Sequence, residues 1–231
     1  MPYQQHHRPT SLHSSRDSVH SGSHRSGPGF SLGLTGSPNP VEKEKMFRGQ
    51  PFLHYLDPVL LQDRQACKAA VERYNKAAET TSGTTASERG VMFEEILKPS
   101  KRRDVNLQES SPWGPVGTIG DHSIVESPFR CEYGYNLRIG EDCIIESGGY
   151  LQDAAPILVG NGVRIGHNVK LYSLTSTMDP RERKGSRGNL IAGAVKIADD
   201  CIIESDVSVL PFVTIGRGAV VRAGAIVTEV G

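Results

Sequence analysis

Residues 197–227 read IADDCI IESDVS VLPFVT IGRGAV VRAGAI V, and they divide into hexads opened by Ile197, Ile203, Val209, Ile215, Val221 and Val227. Four positions after the first five of these come Cys201, Val207, Val213, Ala219 and Ala225, all small or modest in volume. An α-helix repeats every 3.6 residues and a half-buried strand every two, so neither generates this pattern. A triangular solenoid does. Each straight face takes one hexad, the aliphatic residue points inward, and the small residue fits where the chain turns the corner.

The ladder extends upstream. Ile139, Ile145 and Leu151 form one in-register set, Val159, Ile165 and Leu171 another, and the coils begin around Ile119. Two breaks interrupt the register. Leu151 and Val159 stand eight apart, which inserts two residues around Asp153 to Pro156. The second break, between Leu171 and Ile191, contains the polar stretch Thr175 to Asn189 (Asp179, Pro180, Arg181, Glu182, Arg183 and Lys184 among it). It predicts an extended loop at about 174–190 that leaves the solenoid and returns near Ile191. Stacked coils bond one another at the strand spacing of about 4.8 Å, so such a loop springs from a rigid base, a common location for function.

Upstream of the coils the pattern changes. Asp57 followed by Pro58 is an N-cap and first-turn pair, and Leu60, Leu61, Cys67, Ala70, Val71 and Tyr74 recur at helical spacing through Ala78. Thr80 to Thr85 reads as a linker. A second helix, capped near Ser87, carries Val91, Met92, Ile96 and Leu97 until Pro99 stops it. These helices are too short to hold a core alone and need the coils to pack against. Residues 1–40 contain nine Ser, five Gly, five Pro and five His, with few large apolar side chains, a composition that predicts a disordered tail. The histidines of this tail share no rigid element and read as incidental rather than metal-binding. The expected organisation is a tail over 1–40, a helical leader over 41–105, and a β-solenoid over 106–231.

Lys and Arg number 26 and Asp and Glu number 26, so charge gives no reason to expect a nucleic-acid or acidic-membrane partner. No apolar run approaches the roughly 18 residues of a spanning helix, and Met1 to Arg25 lacks a signal-peptide core. Cys67, Cys131, Cys143 and Cys201 are scattered without a C-x-x-C pair and read as free thiols, not as a disulfide framework or zinc site. The expectation is a cytoplasmic protein without a metal.

Three motifs carry a family resemblance. Glu42 to Met46, Gly49, Asp57, Arg64 and the Tyr74-Asn75 pair resemble the helical leader of the maltose and galactoside O-acetyltransferases. The string PFRCEYGYN, Pro128 to Asn136, resembles that family's entry into its hexapeptide coils, and Leu171-Tyr172 with Asp179-Pro180 and Arg183 resembles its extended loop. The resemblance runs from about Val41 to the last residue. It implies a left-handed parallel β-helix, a homotrimer with active sites between subunits, and acetyl-CoA as donor to a sugar hydroxyl. By the same resemblance Glu132 (commonly Asp in the family), Tyr133, Asp153 and Asp179 form the acceptor side, and Ile202, Ala219 and Ala225 lie along the acetyl-CoA side.

Acetyl transfer from a thioester to a hydroxyl needs a base to take the proton and a donor to steady the oxyanion. In the family a loop histidine is the base, and its position here is Ser176, whose hydroxyl cannot act as a base at neutral pH. A family asparagine aligns with Glu146 and a tryptophan with Ile202. Family members also continue past the Val227-Thr228 position with a Pro-rich segment, whereas this sequence ends at Gly231; either the chain continues or CoA is held with less cover. Glu146 is a candidate substitute base, since a carboxylate between subunits can carry a raised pKa, although a Glu at a non-inward coil position usually forms a solvated face. His167 is a further candidate, at a repeat position that points outward; His54 and His122 lie outside the loop motif. Two readings stand: an acetyl-CoA-dependent sugar O-acetyltransferase, and a catalytically impaired relative acting as a trimeric scaffold or ligand-binding module. A metal-dependent carbonic anhydrase would need three coil histidines, and only His122 and His167 lie there.

Overall fold

A computed structural model of the chain describes residues 41–79, 82–98 and 116–228. The expected tail, part of the 80–85 linker and the boundary at 105–106 lie outside the described residues.

The hexads form a parallel β-solenoid. Each of three faces stacks five parallel strands, one per coil. The register follows the aliphatic ladder: Ile139 pairs with Val159, Val159 with Ile197 and Ile197 with Ile215 on one face. Ile145, Ile165, Ile203 and Val221 follow one another on the second, and Leu151, Leu171, Val209 and Val227 on the third. These side chains and the corner residues Cys143, Val163, Cys201 and Val207 share one core. A fully buried aliphatic contributes about 1.5–3 kcal/mol, so the repeat supplies most of the driving force for this half of the chain.

Three helices cover the start of the solenoid: α1 over Val41–Phe47, α2 over Pro58–Ala77 and α3 over Ala86–Leu97. Asp57 caps α2, its carboxylate accepting the Leu60 N–H at 2.8 Å. The cap of α3 is Thr85 rather than Ser87, because Thr85 has Glu88 three residues on and the two form a reciprocal capping box. The helices dock as expected. Cys67 on α2 meets Cys131 of the first coil with sulfurs 3.5 Å apart, both free thiols, and Tyr74 donates to the carbonyl of Val125. The Asn75 side chain both donates to the Phe129 carbonyl and accepts its N–H, at 2.8 and 2.9 Å. Gly134, in the Tyr-Gly-Tyr segment, sits at φ +75°, and a Cβ there would lie 2.0 Å from the carbonyl oxygen of Ile96. Only glycine lets the end of α3 approach this closely.

The two register breaks have different structures. At the first, Asp153 is buried, and Ala154 and Ala155 join Met46, Phe52, Leu60, Tyr133 and Tyr135 in a second apolar cluster. Beneath it Lys43 and Asp63 form a buried ion pair at 3.0 Å. The second break corrects the expectation of a plain loop. Leu174–Ser176 and Leu190–Ala192 pair as an antiparallel ribbon, with Leu174 opposite Ala192 and Ser176 opposite Leu190. Only the intervening residues 177–189 are irregular, with one 3₁₀ turn at Gly185–Arg187. The ribbon forms because Leu174, Leu190 and Ala192 give it an apolar side that packs on the second cluster. Ser176 therefore lies within a strand, not at a loop tip.

Candidate active site

The residues singled out by sequence fall into three groups. The first lies where the leader meets the entry coil. Asp153 is fully buried, and its Oδ1 accepts the backbone N–H groups of Glu132 and Tyr133 at 2.9 and 2.8 Å. Burial raises its pKa to about 6 despite those two bonds, and the neighbouring Glu132 pushes the same way. Tyr133 is equally enclosed, its hydroxyl 2.8 Å from Arg64 Nη1, which donates to it, and 3.2 Å from His54 Nδ1. Burial, then the Arg64 charge, lower the His54 pKa to about 3, so its 3.6 Å approach to Glu132 Oε2 is not an ion pair at neutral pH. Glu132 Oε1 accepts from Tyr150 and Gln152 at 2.9 and 3.2 Å, which leaves Oε2 without a hydrogen bond; Asp153 Oδ2 has none either. Of the three, Glu132 alone is partly exposed; Tyr133 and Asp153 support it from behind.

The second group is on the ribbon. Ser176 is exposed, and no side-chain hydrogen bond or ion pair joins it to Glu146 among the described residues. Asp179 holds the Arg181 guanidinium at 2.7 Å, and this bond keeps its carboxyl below the usual range.

The third group sits at a coil corner and departs from expectation. Glu146 is not a solvated residue but 8% exposed. Its Oε1 pairs with Arg164 and its Oε2 lies 3.2 Å from His167 Nε2. The other nitrogen of that imidazole, Nδ1, is 3.0 Å from Ser147 Oγ. The stacking explains the arrangement: the coil here is 20 residues long, so Arg164 lies directly over Ile144 and His167 over Ser147. Reading hexads along the chain leaves these neighbours apart; adding one coil length to each outward residue brings them together. Glu146, Arg164 and Ile202 then line one cavity of about 300 Å³, with Glu204, Ser205 and Ala223. Ala219 and Ala225 are not part of its lining and pack against the solenoid core in the last coils.

Among the described residues no group of three metal-ligating side chains converges, and no helix is long and apolar enough to cross a membrane.

The chain matches two family profiles, the bacterial transferase hexapeptide (six repeats) over residues 194–229 and the maltose acetyltransferase hexapeptide capping motif over residues 45–100. A protein of Schizosaccharomyces pombe that carries an acetyltransferase name is 32% identical over 194 residues, 83% of this chain and 84% of that one. A hexapeptide-repeat acetyltransferase of Vibrio cholerae, solved in complex with acetyl coenzyme A, superposes with a TM-score of 0.65 at 26% identity, covering 82% of this chain and 88% of the other. A maltose O-acetyltransferase of Clostridium difficile gives 0.63 at 26% identity, over 82% and 92%.

Proposed function

Because the chain belongs to the hexapeptide-repeat acetyltransferases that carry a maltose-acetyltransferase capping motif, we propose that it transfers the acetyl group of acetyl-CoA to a hydroxyl of a sugar or similar hydroxyl-rich acceptor. The observation that carries the acceptor class is Glu132 Oε2. A buried carboxylate oxygen without a hydrogen bond, on a side chain that is itself 18% exposed, is an acceptor left open for a donor hydroxyl. Asp153 fixes the backbone that presents it, and Arg64, Tyr133 and neutral His54 wall the cluster. On the donor side, the cavity lined by Glu146 and Ile202 is our candidate for the thioester end of acetyl-CoA, with Ala219 and Ala225 further along the coils. The Vibrio cholerae relative, solved with acetyl coenzyme A, supports that donor. We further propose a cytoplasmic homotrimer, in which a neighbouring subunit's ribbon, with Asp179, completes each site.

Ser176 favours a second reading, a trimeric binding module without turnover. One experiment separates them: calorimetry with acetyl-CoA, followed by release of free CoA thiol in the presence of a panel of mono- and disaccharides. Binding and sugar-dependent thiol release support the transferase. Absence of both sinks it. Sedimentation of a species three times the chain mass of 25.1 kDa checks the trimer.

A further inference from the structure

A hydroxyl acceptor must lose a proton as its oxygen attacks the thioester, and Ser176 cannot take it. The described residues include three histidines. His54 is buried and held neutral with its nitrogens facing Tyr133 and Glu132. His122 is exposed on the first coil with Asp142 3.4 Å away. His167 differs from both. Its ring is 59% exposed, yet each nitrogen has a directed partner: Nε2 faces the buried Glu146 carboxylate, and Nδ1 faces a hydroxyl.

From this we infer that His167 is the general base of the reaction, oriented by Glu146, and that Ser147 Oγ marks the position of the hydroxyl it deprotonates. The inference rests on the acetyltransferase reading above. The chemistry follows from the two contacts. Glu146 accepts a hydrogen bond only from a protonated nitrogen, so it selects the Nε2–H tautomer and leaves the Nδ1 lone pair free. That lone pair is where Ser147 now donates, and an acceptor hydroxyl that replaces Ser147 there is held for deprotonation. As His167 takes its proton, the acceptor oxygen bonds to the acetyl carbonyl carbon. The carbon–sulfur bond then breaks, and the leaving thiolate receives the proton back from His167, so the imidazole is regenerated. Glu146 stabilises the transient imidazolium and is itself clamped by Arg164, which makes it a positioning residue. The other charged groups around the ring are Glu126, bonded to the Ser147 N–H on the coil below, and Asp206, bonded to Asn168 on the coil above. Neither contacts an imidazole nitrogen. Ser147 lines a cavity of about 550 Å³ and Glu146 one of about 300 Å³, and His167 contacts both residues.

The test uses the full chain. H167N is expected to lower kcat by about 10² to 10⁴ with acetyl-CoA affinity unchanged. Glu146→Gln is expected to lower kcat by about tenfold or more, because the imidazole loses the partner that fixes its tautomer. A variant H167N with wild-type kcat overturns the assignment. So does an acetyl group found by mass spectrometry on Ser147, which would make that residue a nucleophile instead. A second readout is independent of CoA. In the nitrogen NMR spectrum of the resting protein, His167 should be the Nε2–H tautomer, and the Glu146→Gln variant should change the balance between its two tautomers. The opposite tautomer, or a tautomer balance that Glu146→Gln leaves unchanged, overturns the inference whether or not the protein turns over. If the dyad is present but acetyl-CoA neither binds nor reacts with any acceptor, the acetyltransferase reading itself fails, and the catalytic role of His167 with it.

Discussion

Phe52 and Leu190 exchange backbone hydrogen bonds in both directions, at 3.0 and 2.9 Å, which places one residue of the leader as a third strand beside the ribbon that carries Ser176. Leu190 stands between the two, with Phe52 on one side and Ser176 on the other. The Phe52 side chain is fully buried in the cluster beneath. Truncating it in Phe52→Ala should cost about 3–5 kcal/mol, as large core truncations do. The loss should also be local first. Hydrogen exchange should show the amides of Thr175 and Ile191 losing protection well before those of Ile165 and Ile203; uniform loss across the chain would show that leader and ribbon are not coupled in this way.

Ser176 is exposed within a strand, and its hydroxyl has no capacity to take a proton near pH 7. Ser176→Ala should therefore leave kcat within about twofold of wild type, on the same argument that a general base is worth about 10² or more when present. Steady-state kinetics with the best acceptor of the sugar panel decides it. A tenfold or greater loss would give Ser176 a role that its chemistry does not suggest.

The solenoid was legible because an inward residue every six positions leaves a one-dimensional trace: Ile197, Ile203 and Val209 announce the core without reference to any other part of the chain. The α2 cap was legible for the same reason, since Asp57 and Leu60 are sequence neighbours. The Glu146–His167–Ser147 corner was not. Its members meet only after the chain has gone once around, and the two-residue insertion at Asp153 sets the coil length there at 20 rather than three hexads. A surface Glu looks solvated until Arg164 and His167 are known to lie over it. The ribbon was read as a loop because its paired segments are short and the polar residues 177–189 dominate the stretch.

Leu151 and Ile202 occupy opposite sides of the coil wall. Leu151 is enclosed in the core, whereas Ile202 is 43% exposed and lines the cavity with Glu146. Leu151→Ala should cost about 2–5 kcal/mol in denaturant unfolding. For Ile202→Ala a stability change under about 1 kcal/mol is expected. Its effect should instead appear as a several-fold weaker affinity for acetyl-CoA by calorimetry. Equal destabilisation by the two substitutions would contradict the outward placement of Ile202, and unchanged acetyl-CoA affinity would remove that cavity from the donor side.

Asp153 and His54 make opposite contributions to the pH dependence of stability. The His54 pKa is depressed in the fold, from 6.5 to about 3, so the unfolded chain binds a proton that the folded one does not, and stability falls as pH drops below about 6.5. The Asp153 pKa is raised, from 3.8 to about 6, so the folded chain holds the extra proton; its contribution is full below pH 3.8 and is lost as pH rises through 6. A shift of that size corresponds to roughly 3 kcal/mol across the window. Asp153→Asn keeps an oxygen to accept the Glu132 and Tyr133 N–H groups and removes the buried charge, while its new amide donor faces the side of Asp153 Oδ2, which has no hydrogen bond now. Asp153→Asn should accordingly be more stable than wild type at pH 8, by about 1–3 kcal/mol, and the gain should shrink toward zero near pH 4. Urea unfolding at pH 4, 6 and 8 measures this directly. Asp153→Ala, which leaves two N–H groups unanswered, should be destabilised at every pH by about 1–3 kcal/mol per orphaned donor. A gain for the Asn variant that is the same at all three values would mean that Asp153 does not titrate differently in the folded and unfolded chains.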